Sequence, residues 1–226
     1  MSRLSTDAIL GCLGVVAGLT LLMFFEPARA AGPLPDPKVD ISPSKAVIAQ
    51  TAVFAGGCFW GVEAVFEHVK GVTKVVSGYS GGSAETANYK QVSSGGSGHA
   101  ESVRITFDPS RVSYGQLLKV FFSVAHDPTE LDRQGPDTGT QYRSAVFYAD
   151  AEQKRVIESY IDQLRAARAF SRPIVTQVTP LKAFYPAEDY HQDYLAHHPT
   201  QPYIVEYDLP KITALQRQFP ALYSAN

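Results

Sequence analysis

The chain has 226 residues, 45% of them hydrophobic, and sets 20 Lys and Arg against 22 Asp and Glu for a formal net charge of −2. That length and apolar content suffice for one domain with a proper core, while a near-neutral balance without basic runs argues against nucleic acid as a partner. Two cysteines, Cys12 and Cys58, are too few for a multi-cysteine zinc site, and no metal centre is expected.

Residues 1–30 have the layout of an export signal: Arg3 in a positive leader, an uncharged apolar run over 8–25, and Ala28-Arg29-Ala30 as a small-x-small cleavage site. The alternative is an uncleaved membrane anchor, since the run approaches bilayer-spanning length; Pro27 and the Ala-x-Ala site favour cleavage. The expectation is therefore an exported, periplasmic protein with no membrane contact after signal cleavage. Cys12 leaves with the signal, so Cys58 is the one thiol of the mature chain and no intramolecular disulfide can form. Residues 31–44 are rich in proline and polar residues and read as a linker or N-terminal arm, and 45–226 as a single catalytic domain.

Residues 46–55 are apolar and β-branched, as a buried strand requires. After Gly56 and Gly57, which permit a sharp turn, Trp60, Ala64, Val65 and Val69 recur at helical spacing, placing Cys58 in the first helical turn. Free amides and the helix dipole at such a terminus stabilise a thiolate and lower its pKa, which makes Cys58 a candidate nucleophile. The bland reading is a packing cysteine, with Phe59 and Trp60 as core. Further strands are expected over 72–79, 102–108, 143–149 and 174–178, with small-residue loops at 80–87 and 93–98. Ser113 and Gln116 form a capping box opening a helix over 114–124 whose stripe is Leu117, Leu118, Phe121 and Phe122. A long polar loop, 129–142, has the look of a functional segment. A second helix spans 151–168 with Val156, Tyr160, Ile161 and Leu164 inward, and a short one spans 186–195. The expected fold class is α/β: a ferredoxin-like two-layer α+β sandwich, its mixed sheet flanked by helices, with a long irregular C-terminal tail.

Four ordered segments, GGCFWGVEAVFEHVKGV, GHAESVRITFDP, QGPDTGTQYRSAVFY and AEDYHQDYL, resemble the peptide methionine sulfoxide reductases of the A type, enzymes that restore oxidised methionine. The resemblance implies that Cys58 is the nucleophile, that Phe59 and Trp60 hold the substrate methyl group, and that Glu101 is the acid. It places Tyr89 and Tyr142 as phenols beside Glu101 and Asp137 as a buried supporting carboxylate. His191 and Tyr194 border the same pocket, and Tyr203 matches a tyrosine of the tail. It implies substrates of oxidised methionine, protein-bound or free, with no bound cofactor and an external thiol reductant, thioredoxin-like or glutathione/glutaredoxin-like. Recycling cysteines carried by many members are missing: residues 194–226 contain none, and Ser93 stands where some members have one.

The chemistry agrees with these roles. Attack on a sulfoxide sulfur needs a donor aimed at the oxygen, and a carboxyl donates only when burial keeps it protonated. Taken without the family, Glu101 is an exposed charge preceding a strand, Tyr89 and Tyr142 half-buried surface tyrosines, Asp137 an Asx-turn residue, and His191 a helix-surface histidine. Two other function classes compete: a cysteine hydrolase in which His99, His126 or His191 activates Cys58, and a non-enzymatic module that binds methionine-like side chains.

Overall fold

The computed structural model describes residues 33–41 and 48–225. The signal expected over 1–30, part of the segment 31–44 and the start of the first strand at Ala46 and Val47 lie outside the described residues. Among those described, no helix is long and apolar enough to cross a membrane.

The first strand, β1 (Gln50–Gly56), has Ala52, Val53, Phe54 and Ala55 all buried, the mark of a strand covered on both faces. It is followed by α1 (Phe59–Glu67), β2 (Val72–Ser80), the single turn α2 (Tyr89–Val92) and β3 (Ala100–Phe107). Then come α3 (Tyr114–Val120), a two-residue hairpin β4 (Arg133–Gln134) and β5 (Asp137–Thr138), and β6 (Ser144–Tyr148). The chain continues through α4 (Ala151–Ala166), β7 (Gln177–Pro180), β8 (Tyr185–Pro186), α5 (Tyr194–His197) and α6 (Leu209–Gln218). The main sheet has six strands in the order β7-β6-β1-β3-β2-β8. Its inner four, with α1 and α3 as crossovers, run antiparallel to one another in the split βαβ pattern of a ferredoxin-like sandwich. The parallel pairing of β7 with β6 makes the sheet mixed.

One core fills the space between sheet and helices: Phe54 of β1 packs against Phe66 of α1 at 5.6 Å, Tyr114 of α3 at 6.1 Å and Phe121 at 4.9 Å between ring centroids. Residues 33–41 lie across α3 and α4, with Leu34 buried. There Asp40 accepts from the Gly115 amide at 2.9 Å, and the Tyr160 hydroxyl donates to the Pro35 carbonyl at 3.0 Å. The capping box at Ser113 and Gln116 forms as the spacing predicts.

Several elements depart from the sequence reading. The helix expected over 114–124 is α-helical only to Val120 and then widens into a π-turn, Phe121–Ala125, where His126 Nδ1 bonds the Phe121 carbonyl at 3.1 Å. The strand expected at 174–178 begins at Gln177, because its ladder with β6 starts at the Ala145–Gln177 pair; the Val175 amide donates instead to Pro128. The helix expected over 186–195 is broken up: Tyr185 and Pro186 pair with β2, Asp189–His191 forms a 3₁₀ turn, and Asp193, at φ 52°, interrupts the path before α5. Gln192 is held by its side chain, which brackets Ser77 of β2 with a bond from the Ser77 amide at 2.9 Å and one to its carbonyl at 3.0 Å. The tail is irregular around residues 198–202, yet it closes with a π-turn, Ile204–Asp208, and the ten-residue α6. Pro210 sits in the first turn of α6, where a missing amide costs nothing.

Candidate active site

Strand β1 ends at Gly56 and the chain turns through Gly57, whose φ of 92° favours glycine and whose added Cβ would lie 2.5 Å from Gln134. That turn delivers Cys58 as the N-cap of α1, one residue before the first turn in which the spacing places it. The thiol is 8% exposed. Glu101 lies inside β3 rather than ahead of it, is 2% exposed, and accepts the Phe59 amide through Oε2 at 3.1 Å. Two neighbouring strands thus bring the carboxyl to the N-terminus of α1 beside the sulfur.

Burial pushes Glu101 up to about 8, with the charge of Asp137 adding to it and the Phe59 bond opposing it. At neutral pH the group carries a proton, as a donor must. Cys58 departs from expectation, since its pKa is raised well above the usual thiol value rather than lowered. Burial is the largest cause, followed by the charges of Glu101 and Asp208. The terminus contributes little to the thiolate because the Phe59 amide is taken by Glu101; the Trp60 amide and Lys211 offset the rise only in part.

An aromatic cradle surrounds this pair. Phe59 is buried, with its ring 5.9 Å from Tyr79 and 5.0 Å from His191. Trp60 is half-buried, stacks on Tyr194 at 3.7 Å and 7°, and meets Tyr203 edge-on at 6.0 Å. Its indole N–H donates to His191 Nδ1 at 3.2 Å, which leaves the imidazole proton on the buried Nε2. Burial lowers the His191 pKa, with the charge of Glu188 opposing it. Tyr89 lies 4.5 Å from His191 between rings; it and Tyr142 are half-buried, and burial and then the charge of Glu101 raise both phenols. Asp137 is half-buried, not buried, because it sits on the exposed β4–β5 hairpin; it accepts a short hydrogen bond from the Tyr203 hydroxyl. The residues singled out in the sequence are thus gathered around Cys58, most of them through ring contacts or hydrogen bonds and Tyr142 through the charges of Glu101, Asp137 and Cys58.

The histidines required by a hydrolase are engaged elsewhere. His99 bonds the Ser83 carbonyl at 2.9 Å and accepts the Gly82 amide at 3.2 Å. His126 bonds Phe121 and, at 2.7 Å, Ser144 Oγ, and burial drives its pKa down to about 4. Sequence reasoning missed Asp208 and Lys211, an ion pair at 3.0 Å with Asp208 fully buried against α1. A Cβ at Gly61 would lie 2.0 Å from Asp208 Oδ1. The Asp-x-x-Lys spacing was a usable signal only once a helix was placed in the tail. It also missed Glu188, which accepts the Tyr79 hydroxyl at 2.8 Å and the Tyr89 amide at 2.9 Å and so fixes the wall behind the cradle. On the α6 side of Cys58 opens a cavity of about 530 Å³ lined by Leu34, Phe122, Tyr203, Lys211, Ala214 and Arg217 among others.

A family model described as peptide methionine sulfoxide reductase matches residues 50–221. A Mesorhizobium japonicum protein named peptide methionine sulfoxide reductase MsrA 2 is 61% identical over 176 residues, 78% of this chain and 90% of that protein. A Deinococcus radiodurans protein named peptide methionine sulfoxide reductase MsrA is 49% identical over 170 residues, 75% and 82% of the two chains. Among solved structures, methionine sulfoxide reductase A of Corynebacterium diphtheriae superimposes with a TM-score of 0.59 at 33% identity, covering 77% of this chain and 90% of that one. The reduced form of Mxr1 from Saccharomyces cerevisiae gives a TM-score of 0.62 at 30% identity, covering 71% and 91%. The hydrolase and binding-module alternatives find no support in these relatives.

Proposed function

Since the chain belongs to the peptide methionine sulfoxide reductase family and reduces methionine sulfoxide with electrons from a thiol, we propose that Cys58 is its nucleophile and Glu101 its acid. The S-epimer of the sulfoxide, free or in a protein, lies with its methyl group against Phe59 and Trp60 and its oxygen toward Glu101, Tyr89 and Tyr142. The Cys58 sulfur attacks the sulfoxide sulfur as Glu101 passes its proton to the oxygen, and the thiol's own proton replaces the one Glu101 gives up. Oxygen then leaves the substrate sulfur for the Cys58 sulfur: methionine is released and Cys58 becomes a sulfenic acid. Asp137, through Tyr203, and His191 and Tyr194, through Trp60, hold the walls of the cradle. The observation that carries this assignment is a carboxyl, 2% exposed, held on the Phe59 amide at 3.1 Å beside the buried thiol, where burial raises its pKa.

An external thiol regenerates Cys58, because residues 31–226 hold no second cysteine. The reading of residues 1–30 supports export to the periplasm, with an uncleaved anchor as the alternative. Single-turnover reduction without added thiol tests the scheme: the S-epimer should give one equivalent of methionine and one sulfenic acid on Cys58 by mass analysis, and the R-epimer none. Cys58→Ser should give neither product, since a hydroxyl there stays protonated and is a poor nucleophile. Turnover by Cys58→Ser, or two methionine equivalents from the thiol-free enzyme, would overturn it.

A further inference from the structure

We propose that Glu63 is a positioning residue for sulfoxide reduction: by holding the Asp193 amide, its carboxyl sets Tyr194 on Trp60 and so builds the wall that receives the substrate methyl group. The inference rests on Trp60 facing that methyl group. Glu63 is 1% exposed on α1, one turn beyond Trp60 on the same face of the helix, and has no role in the steps assigned to Cys58 and Glu101. A buried carboxyl needs partners. It has two: Oε1 accepts the Ser77 amide at 3.2 Å and Oε2 the Asp193 amide at 3.1 Å.

Both donors depend on side chains for an acceptor. The two-residue β8 pairs with β2 at Gly78 and Tyr79 and stops, so the amide of Ser77, next along β2, is met by Glu63 and by Gln192 Oε1 at 2.9 Å. Asp193 has φ 52°, a left-handed conformation that costs an L-residue free energy and persists only when its surroundings pin it. Its side chain is exposed and makes no cap bond to α5, so the point at which the turn is pinned is its amide. Gln192 fastens this turn to the sheet through the Ser77 carbonyl at 3.0 Å. Glu63 fastens it to α1, the helix that Cys58 caps.

The consequence falls on Trp60. Tyr194 follows Asp193 directly and stacks on the indole at 3.7 Å and 7°, while His191, just before the turn, accepts the indole N–H at 3.2 Å. Trp60 is therefore gripped from both sides of the turn whose amide Glu63 holds. A glutamate suits this place where a glutamine does not, because a carboxyl offers an oxygen to each of the two amides, whereas a carboxamide must turn its own N–H groups toward one of them. The neighbouring acids, Glu67 of α1 and the Asp193 side chain, bond to each other. The two backbone amides are left to Glu63 and Gln192.

Trp60 is the one tryptophan of the chain, so its fluorescence reads this wall without substrate. In Glu63→Gln its emission should shift to the red and become more open to acrylamide quenching as Tyr194 leaves the indole. In single turnover the half-saturating sulfoxide concentration should rise about tenfold and the maximal rate change less than about twofold, because a wall that holds the methyl group binds ground and transition states alike. In a Tyr194→Ala background, which has already lost the stack, Glu63→Gln should add less than about twofold, since both changes remove one contact. If Glu63→Gln does not fold, Glu63→Asp takes its place: it keeps the charge, is too short to span both amides, and should move both readouts the same way. Unchanged fluorescence, an unmoved half-saturating concentration, or effects of Glu63 and Tyr194 that multiply would overturn the proposal. Wild-type kinetics in Trp60→Ala would tell instead against the placement of the methyl group, and the fluorescence of Glu63→Gln would still decide whether the carboxyl sets the wall.

Discussion

In the proposed mechanism the chemistry turns on the proton of Glu101. Its pKa near 8 comes first from burial, so the reactive form of the site is a neutral carboxylic acid beside a neutral thiol. Single-turnover rates should be level through neutral pH and fall as the pH rises past about 8, when Glu101 ionises. Glu101→Gln should slow the chemical step by roughly two to four orders of magnitude and remove that fall; an unchanged rate, or a fall that persists in the variant, would place the acid elsewhere. Trp60 is tested by a different quantity. It stacks on Tyr194 and holds the His191 ring through its N–H, so Trp60→Ala removes both the methyl-facing surface and two wall contacts. A loss of about a hundredfold in kcat/KM is expected from misplacing the substrate, with an unchanged circular dichroism spectrum. Kinetics that barely move would make Trp60 a packing residue.

At the scale of elements, the site depends on how tightly α1 can approach α6. Gly61 has no room for a methyl group: its Cβ would meet Asp208 Oδ1 at 2.0 Å and Lys211 Nζ at 2.7 Å. Gly61→Ala therefore has to part the helices or break a buried ion pair, and the cost should be about 1–3 kcal/mol by denaturant unfolding, with slower sulfoxide reduction because Cys58 caps the displaced helix. A variant as stable and active as the wild type would show that α6 yields freely. These contacts also explain which parts of the fold the sequence could announce. β1, β2, β3, β6, α1 and α4 are legible because composition or periodicity marks each of them, β1 as an apolar run buried on both faces and α4 as a helix with one inward stripe. The tail is not, because Pro210 reads as a breaker unless one knows that it occupies the first turn of α6. The segment after β8 escapes for another reason: side chains such as Gln192 do the backbone's hydrogen bonding there, and no periodic pattern records that. Cys58 was legible as a candidate nucleophile from its glycines and aromatics. Its pKa was not, since the direction depends first on burial and then on Glu101 and Asp208, all of which arrive from distant positions in the chain.

For the whole molecule, the carboxyl groups that burial keeps protonated tie stability to pH. Glu63 of α1 is pushed up to about 7 by burial, although it accepts the Ser77 and Asp193 amides at 3.2 and 3.1 Å. Glu67, one turn on, rises to about 8 through burial and its bond with Asp193, and Glu101 stands at about 8. In the unfolded chain all three would titrate near the ordinary glutamate value of about 4.3. Between that value and about 8 the native state thus holds protons that the unfolded state has released, and stability must fall as pH rises through this window. His126 opposes the trend only at its acid end. Its native pKa near 4 means that the unfolded chain binds the extra proton below about 6.5, one group against three. The native protein should accordingly be more stable at pH 5.5 than at pH 8.5 by roughly 2–4 kcal/mol, a figure held below the summed shifts because Glu67 is partly exposed. Guanidinium unfolding at the two pH values measures the difference. Glu63→Gln, which cannot ionise, should shrink it, and the same variant should leave the fall in single-turnover rate near pH 8 in place because that limb belongs to Glu101. Equal stability at both pH values, or greater stability at pH 8.5, would mean that water or rearrangement relieves these carboxylates in the folded protein.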